Sequence, residues 1–554
     1  MFTQRFVLSA LLAPAGLIGL AVPHAAASES GRLAPDQVLV VYDSRQAESV
    51  AIAEHYAGSM LVPGGAGNES GVHAGLHVFD IASAGLSAFP SNGTVDWSRF
   101  VRQVRDPIRA HLVAEGLDDD VRCLVLTKGI PHRVLDTDDS FVGERTFSTP
   151  SYNDEWKAGD ATFSSVDSEL TLLWQDLESG EAGGTADSFS DGYIANPYWR
   201  SGAPIASFDN ASASVAKALS VESIPAWPGG AFSTTEGPGA VWGPGAGSPE
   251  TTLTAGDIVL VTRLDGHSVA DVRAGVERAR DLRHEVGSAK IILDEAVFAF
   301  PDGADLVPNG EWDNWGGPVV RSGDDYELTE AALLQDGRFT QAEIVANETT
   351  DYSLGPLIAY PGGTFVVSEP VLYLAHFAQA HNTWPGQGTP NPATRTYAES
   401  FAYADGAVFN GFDSFNARDF AGLGTRDAQE QIADFLAAGG TFAVGMAWGD
   451  MISERADNQF IVERFLLGGL TWAEAAWGAI PALSWSHIVL GDPLATVCLS
   501  TEDLSGDRSL DFFDLLEFLA LFDAGDPLAD RDSNGTFDFF DVLAYLAAFE
   551  VSGC

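Results

Sequence analysis

Hydrophobic residues in the first 500 positions fall mostly into short uninterrupted runs rather than long alternating segments. A short apolar run bounded by turn-forming residues is typical of a strand that is buried on both faces of a sheet. Runs of this kind predict buried strands at Val38–Tyr42, Cys123–Thr127, Ile258–Thr262, Lys290–Leu293, Ala407–Asn410 and Thr441–Ala447.

Segments with helical periodicity follow several of these runs. Ser268 begins one such segment, and Asp271 lies three residues further on, as in a capping box. Another segment, around Ile432, ends at Gly439-Gly440. Strands that alternate with helices predict an α/β body with a mostly parallel sheet flanked by helices. We assign this body to residues 28–497, as one or two subdomains.

The amino terminus has the pattern of a secretory signal peptide. Arg5 precedes the apolar run Phe6–Val22, and Ala25-Ala26-Ala27 offers small residues for cleavage. A transmembrane anchor is the alternative, but the run is shorter than the ~20 residues that a spanning helix needs. We therefore predict a signal peptide over residues 1–27, a secreted or cell-surface protein, and no membrane span in the mature chain.

The charge of the chain excludes some partners and favours others. With 78 acidic and 29 basic residues, the net charge is −49. Such a surface repels nucleic acid and anionic lipid, and it attracts divalent cations. Of the three cysteines, Cys123 lies in an apolar run and is expected to be a buried, inert side chain. Cys498 and Cys554 bracket the carboxyl-terminal segment and are predicted to form a disulfide.

The carboxyl-terminal segment contains an internal duplication. Acidic twelve-residue loops begin at Asp503 and at Asp530, 27 residues apart. Loops of the EF-hand type supply oxygen ligands for calcium at positions 1, 3, 5, 7, 9 and 12, with a backbone carbonyl at position 7. The residues at these positions predict two calcium ions: Asp503, Ser505, Asp507, Ser509, Asp511 and Asp514 in the first loop, and Asp530, Asp532, Asn534, Thr536, Asp538 and Asp541 in the second.

The two loops differ at position 6, where the sharp turn favours glycine. Gly535 has that position in the second loop, and Arg508 in the first, so we expect weaker calcium binding there. Each loop precedes a helical pattern with apolar residues three apart. These residues predict one buried apolar face per helix, at Phe513, Leu516, Leu519 and Phe522 and at Phe540, Leu543, Leu546 and Phe549.

Loop and helix together, present twice, resemble a dockerin. The resemblance covers residues 498–554 and extends to the terminal Gly553-Cys554 and to aspartate at position 12 of both loops. It implies a small all-α, EF-hand-like module. It also implies that the module docks onto a cohesin-like or cell-surface partner.

Strings along the body resemble an uncharacterised family of exported bacterial proteins, for which no activity is implied. They are Val38–Arg45, Ser165–Leu170, Asn196–Trp199, Val261–Gly266 and Pro481–Leu494.

A more distant likeness is to the gingipain-type cysteine peptidases, which have a caspase-like fold. Asp257–Leu264 and Gly491-Asp492-Pro493 carry it, and His376 would correspond to the catalytic histidine. The segment expected to hold the nucleophile, Ala404–Phe420, has no cysteine. Ser414 is nearby but is a far weaker acid than a thiol. The likeness therefore implies a caspase-like α/β body without cysteine peptidase activity.

Other polar residues have two interpretations each. Asp167 and Glu169 could bind one ligand together or mark the N-terminus of a helix. Arg263 and Asp265 follow a strand, where α/β proteins bind ligands, but they could equally form a structural ion pair. His376 and His381 could act as bases or be packed bystanders.

Two hypotheses about function follow. In the first, a non-peptidase body of unknown activity is docked outside the cell through the calcium-binding tail. In the second, the body is an extracellular hydrolase acting on polysaccharide or peptide material. Its candidate catalytic residues would be His376, Ser414, Asp167 and Glu169.

Overall fold

A computed structural model describes most of the body and part of the tail. The described residues are 31–62, 69–135, 164–174, 194–196, 198–199, 201–205, 217–218, 252–253, 258–280, 282–294, 325–347, 353–357, 365–376, 397–411, 415–420, 432–448, 456–480, 482–483, 485–500, 502, 504, 512–531 and 534–551. The predicted signal peptide lies outside them.

The strands and helices alternate along the body. The strands are β1 (Val38–Tyr42), β2 (His77–Asp80), β3 (Thr94–Asp96), β4 (Cys123–Thr127), β5 (Arg133–Leu135), β6 (Ile194–Ala195), β7 (Lys217–Ala218), β8 (Thr252–Leu253), β9 (Leu260–Leu264), β10 (Leu282–Glu285), β11 (Lys290–Asp294), β12 (Ile344–Asn347), β13 (Ser353–Leu354), β14 (Phe365–Val366), β15 (Val371–His376), β16 (Tyr403–Gly411), β17 (Phe442–Met446), β18 (Ala482–Leu483), β19 (His487–Leu490) and β20 (Val497–Ser500). The helices are α1 (Ala47–Ala57), α2 (Trp97–Phe100), α3 (Asp106–Glu115), α4 (Val166–Leu170), α5 (Val269–Arg278), α6 (Asp325–Asp336), α7 (Ile432–Ala437), α8 (Asn458–Ile461), α9 (Trp472–Ala479), α10 (Phe512–Ala524) and α11 (Phe539–Val551).

A ten-stranded sheet forms the centre of the body. Its strand order is β12-β11-β15-β16-β17-β19-β9-β4-β1-β2. Neighbours are parallel on both sides of β19. That strand pairs antiparallel with β17 over four residues and has a single parallel pairing with β9, between Leu490 and Arg263. The predicted α/β fold with a mostly parallel sheet is confirmed. The predicted buried strands are all present, with the third displaced by two residues to Leu260–Leu264.

Helices cover both faces of this sheet. Phe409 of β16 packs against Phe435 of α7, with ring centres 5.4 Å apart. Phe442 of β17 packs against Trp472 of α9 at 5.1 Å. Phe409 pairs with Ala443, the neighbour of Phe442, so the two phenylalanines point to opposite faces of the sheet. Consequently α7 and α9 lie on opposite faces.

Segments that follow strands on both sides of β19 meet beside one edge of the sheet. The ammonium group of Lys128, just after β4, donates to the carbonyl of Gly266 after β9 (2.7 Å) and to that of Phe420 after β16 (3.2 Å). His267, also after β9, lies 2.6 Å from Asp434 in the first turn of α7, which packs antiparallel to β17. We call this side of the sheet the carboxyl-terminal edge, and it is the edge where open α/β sheets bind ligands.

The tail has a small core of its own. Phe518, Ala529 and Tyr545 form it, apart from the large core around the sheet. The last strand before the tail, β20, pairs with β10, so Cys498 lies in a strand that contacts the body. None of the helices in the described part of the chain is long and apolar enough to cross a membrane.

Gly491 follows β19 at the opposite edge of the sheet, and a substitution there would test how closely that edge is packed. Its φ is +125°, and a Cβ there would lie 2.6 Å from Phe442 and 3.2 Å from the carbonyl oxygen of Thr441. We expect Gly491→Ala to lower the free energy of unfolding by about 2–4 kcal/mol, measured by urea denaturation. Gly116→Ala is the matched control, because its φ is +68° and nothing lies within 4 Å; we expect about 1 kcal/mol there. Equal effects of the two substitutions would contradict the close contact at Gly491.

Candidate functional site

The strand order has a switch point between β11 and β15. From β11 the chain moves outward to β12, and it then returns past β11 to β15 and continues inward. Ligands of open α/β sheets bind beside such a reversal, at the carboxyl ends of the strands. Asp294 ends β11 and His376 ends β15, and the two are paired in register. The switch point therefore brings a carboxylate and an imidazole together.

Four buried residues form a connected group there, and we call them the histidine cluster: Asp294, Asn347, His376 and Tyr397. The Asn347 side-chain amide donates to Asp294 Oδ1 at 2.6 Å, and the Tyr397 hydroxyl donates to Asp294 Oδ2 at 2.5 Å. The Tyr397 ring stacks on His376, with centres 4.0 Å apart and planes at 23°. Both carboxylate oxygens are thus held in place, and the imidazole orientation is restricted by stacking.

Strand β16 ends next to this cluster. Gly411, the last residue of β16, pairs with His376. Ser414 and His381 lie outside the described residues. Sequence reasoning selected His376 and missed Asp294, Asn347 and Tyr397. Asp294 and Asn347 each end an apolar run, and that position could have marked them as site residues. Tyr397 follows a polar segment, and no pattern in the sequence marks it.

A second polar group surrounds Arg263 of β9, which is fully buried. Its guanidinium donates to both carboxylate oxygens of Asp167, the shortest contact being 2.6 Å. It also donates to the carbonyls of Ile130 (2.9 Å) and Pro131 (2.8 Å), and it lies 3.6 Å from Asp265. Lys128 lies 3.2 Å from the same Asp265. Burial raises the pKa of Asp167, and the neighbouring Arg263 opposes that shift. Arg263 is therefore saturated by structural contacts.

Asp167 and Glu169 lie on a helix rather than on a loop. The Ser165 hydroxyl caps α4 by accepting from the backbone N–H of Ser168 at 2.8 Å. Residues two apart on a helix point about 200° apart, so the two carboxylates cannot reach one small ligand together. Asp167 pairs with Arg263, while His376 stacks on Tyr397. Among the described contacts, none joins Asp167 to His376.

Asp492, in the Gly-Asp-Pro string, connects separate segments of the body. Its buried carboxylate accepts from the Tyr56 hydroxyl at 2.6 Å and lies 2.7 Å from His73 Nε2. These contacts tie α1 and the chain after it to the end of β19. Cys123 is fully buried, as predicted, and burial raises the pKa of its thiol, so it stays protonated.

The described tail includes half of the predicted calcium ligands. They are Asp514, Asp530, Asn534, Thr536, Asp538 and Asp541. The others lie outside the described residues: Asp503, Ser505, Asp507, Ser509, Asp511 and Asp532. Within the part of the tail that is described, no three acidic, histidine or cysteine side chains form a group suited to a metal ion. Cys554 is also outside, so its disulfide with Cys498 stays a prediction.

The predicted apolar faces of the tail helices are wrong. Phe513, Leu516 and Leu519 are exposed, and only Phe522 of that set packs inward. Positions three apart drift by about 60° per step around a helix of 3.6 residues per turn, so a run of four such positions does not form one face. The inward residues are Phe518 and Tyr545 instead, stacked 4.0 Å apart with planes at 5°.

No protein-family model, curated protein or solved structure matches this chain. The resemblances to dockerins, to the exported family and to gingipain-type peptidases therefore stay predictions.

Loss of the Arg263 guanidinium should strongly destabilise the folded protein. We expect Arg263→Met to lower the free energy of unfolding by about 3–5 kcal/mol, because it leaves the Asp167 carboxylate buried without its partner. Arg263→Met combined with Asp167→Leu should recover much of this loss. Arg280→Met is the control, since Arg280 pairs with Glu277 at the surface and should contribute less than about 1 kcal/mol. Urea denaturation would measure all three. An Arg263→Met loss as small as that of the control would contradict the structural role of the Arg263–Asp167 ion pair.

Proposed function

We propose that this chain is an exported protein that is docked outside the cell through a calcium-binding, dockerin-like tail. The observation that carries the proposal is the symmetric burial of Asp514 and Asp541. These residues have position 12 in the two loops, and both are fully buried in the first turn of their helices, α10 and α11. A buried carboxylate is costly unless a cation or several donors offset its charge, and a calcium ion in each loop would do so.

The second loop has a conformation that suits a cation. Asp530, at position 1, accepts from the backbone N–H groups of Asn534 (3.1 Å) and Gly535 (2.8 Å). These bonds curl the loop around its first ligand, and Gly535 has a φ of +79° at the sharp turn. Asp541 accepts from the backbone N–H of Asp538 at 2.8 Å, which closes the other end of the loop. Calcium would bind to the predicted oxygens of this loop and fix its two ends.

Exposed apolar residues offer a surface for a docking partner. Equivalent residues of α10 and α11 are between 40% and 66% exposed: Phe512, Phe513, Leu516 and Leu519 on one helix, and Phe539, Phe540, Leu543 and Leu546 on the other. Contiguous exposed apolar residues are typical of interaction sites. This surface supports a cohesin-like partner that binds the helices.

A short connecting segment links the tail to the body. β20 ends at Ser500, and Glu502 already forms an ion pair with Arg531 in the second loop at 2.6 Å. The Tyr545 hydroxyl donates to the backbone carbonyl of Glu502 at 3.0 Å. The second loop thus holds the connecting segment against the tail core, so calcium there would also stabilise the attachment.

For the body, we propose a caspase-like arrangement without cysteine peptidase activity. The adjacent parallel strands β15 and β16 support this proposal, because their carboxyl ends are the positions expected for a histidine and a nucleophile. The second of these ends at Gly411 and has no cysteine nearby.

Calcium binding can be tested loop by loop on the mature chain. Isothermal titration calorimetry should show two binding events, the weaker from the loop with Arg508. Asp541→Asn should remove the stronger event and Asp514→Asn the weaker, because each substitution removes a charged ligand. Asp523→Asn, an exposed aspartate of α10 outside the loops, is the control and should leave both events unchanged. A chelator that leaves the thermal unfolding of the tail unaltered would contradict the proposal.

A hydrolase acting on polysaccharide or peptide material is the second candidate function. The position of His376 beside Asp294 at a switch point favours it, since a histidine next to a fixed carboxylate suits a general base. The mature protein would be incubated with panels of oligosaccharides and peptides. Any hydrolysis should fall by about 10²–10⁴-fold in His376→Ala and be unchanged in His77→Ala, which affects edge strand β2. Hydrolysis that survives His376→Ala would exclude this site, and its absence on all substrates would favour the non-catalytic body.

A further inference from the structure

An ion pair joins the two loop-and-helix repeats of the tail. Glu502, one residue before the first loop, lies 2.6 Å from the guanidinium group of Arg531, the second residue of the second loop. The two side chains are only 4% and 17% exposed, so salt and water screen their attraction little. The pair therefore connects the entrance of the first loop to the start of the second.

Tyr545 of α11 contacts both partners of this pair. Its hydroxyl donates to the backbone carbonyl of Glu502 at 3.0 Å, and the guanidinium carbon of Arg531 lies 5.5 Å from the centre of its ring. The same ring stacks on Phe518 of α10. We call Glu502, Arg531, Tyr545 and Phe518 the repeat bridge. It includes one residue at the loop and one in the helix of each repeat, so it links the repeats at both levels.

The repeat bridge breaks the internal symmetry of the tail. Three pairs of positions that the 27-residue repeat makes equivalent differ together: Glu502 and Ala529, Leu504 and Arg531, and Phe518 and Tyr545. On one side of the tail core, these differences supply a carboxylate, a guanidinium and a phenol hydroxyl that contact one another. On the other side the equivalent residues are apolar, and they lie in the core or pack against it. Core packing is thus satisfied by apolar residues at these positions, and the polar contacts add a connection between the loops.

Both charged residues of the bridge adjoin the first ligand of a predicted calcium loop. Glu502 precedes Asp503, and Arg531 follows Asp530. Consecutive Cα atoms are about 3.8 Å apart, so fixing Glu502 limits where Asp503 can lie. Asp530 accepts from two backbone N–H groups of its own loop. A calcium ion that orders the second loop would therefore order Arg531, and through it Glu502 and the entrance of the first loop.

We propose that the repeat bridge couples the two calcium loops, so that an ion in the second loop raises the affinity of the first. This coupling rests on the proposed calcium binding by the tail. The second loop has Gly535 at its sharp turn and should fill first, whereas the first has Arg508 there. Coupling between two binding sites is reciprocal, and it typically changes affinity by about 5- to 150-fold. The poorer loop thus gains affinity from the better one.

The test measures the calcium affinity of the first loop by isothermal titration calorimetry on the mature full-length chain. In the unsubstituted protein the first loop is titrated with the second filled, and in Asp541→Asn it is titrated with the second empty. We expect the affinity of the first loop to be at least about fivefold lower in Asp541→Asn. In Arg531→Gln that affinity should already be lower by a similar factor. Adding Asp541→Asn to Arg531→Gln should lower it little further, because the contact that transmits the effect is gone.

The direction of each effect separates coupling from simple electrostatics. Loss of the carboxylate in Glu502→Gln reduces the attraction for calcium, whereas loss of the guanidinium in Arg531→Gln increases it. Electrostatics alone therefore predicts opposite changes, and coupling predicts a weaker first loop in both variants. Glu517→Gln is the matched control, because Glu517 is an exposed carboxylate of α10 outside the loops. We expect it to change either affinity by less than about twofold, since exposed charges are screened.

Circular dichroism in the presence of calcium would verify that each variant is folded. If Arg531→Gln does not fold, Glu502→Gln with and without Asp541→Asn decides the outcome. Absence of any calcium binding would overturn the calcium-binding tail and the coupling with it. Two binding events with a first-loop affinity that is unchanged in Asp541→Asn, or that rises in Arg531→Gln, would overturn the coupling alone.

Discussion

The ion pair between Arg263 and Asp167 fixes the arrangement of the carboxyl-terminal edge. Its partners are 96 residues apart in the chain, and neither side chain contacts solvent. Burying two charges is expensive, and here the expense is offset because the guanidinium also donates to two backbone carbonyls after β4. One side chain thereby joins β9, α4 and the turn after β4. The pair also explains why two separate strings of the sequence, Ser165–Leu170 and Val261–Gly266, each contain a charged residue within an apolar setting.

Two polar groups lie along the edge that this pair organises, and their chemistry differs. The Arg263 group is saturated by protein contacts and has a structural role. The histidine cluster is built around one carboxylate with both oxygens satisfied, beside an imidazole, and it suits proton transfer.

The tail is stabilised differently from the body. Its described core is small, with Phe518 stacked on Tyr545, and two buried aspartates adjoin it. A core of this size provides limited hydrophobic stabilisation, so a bound ion would contribute a large part of the folding free energy. The Glu502–Arg531 pair links the tail to β20 and hence to the body. Docking and stability would thus depend on the same loops.

The sequence by itself determined the features that depend on neighbouring residues. Apolar runs located the buried strands and Ser268 located a helix start, because each signal is contained in a few consecutive positions. Loop spacing predicts the calcium ligands in the same way. Only the tertiary structure decided which strands are adjacent, and so brought Asp294 to His376 and Asp167 to Arg263. It also decided which side of each tail helix is buried, since residues spaced by three do not stay on one side of a helix. Contacts between distant segments depend on the packing of the whole sheet, and no local pattern specifies them.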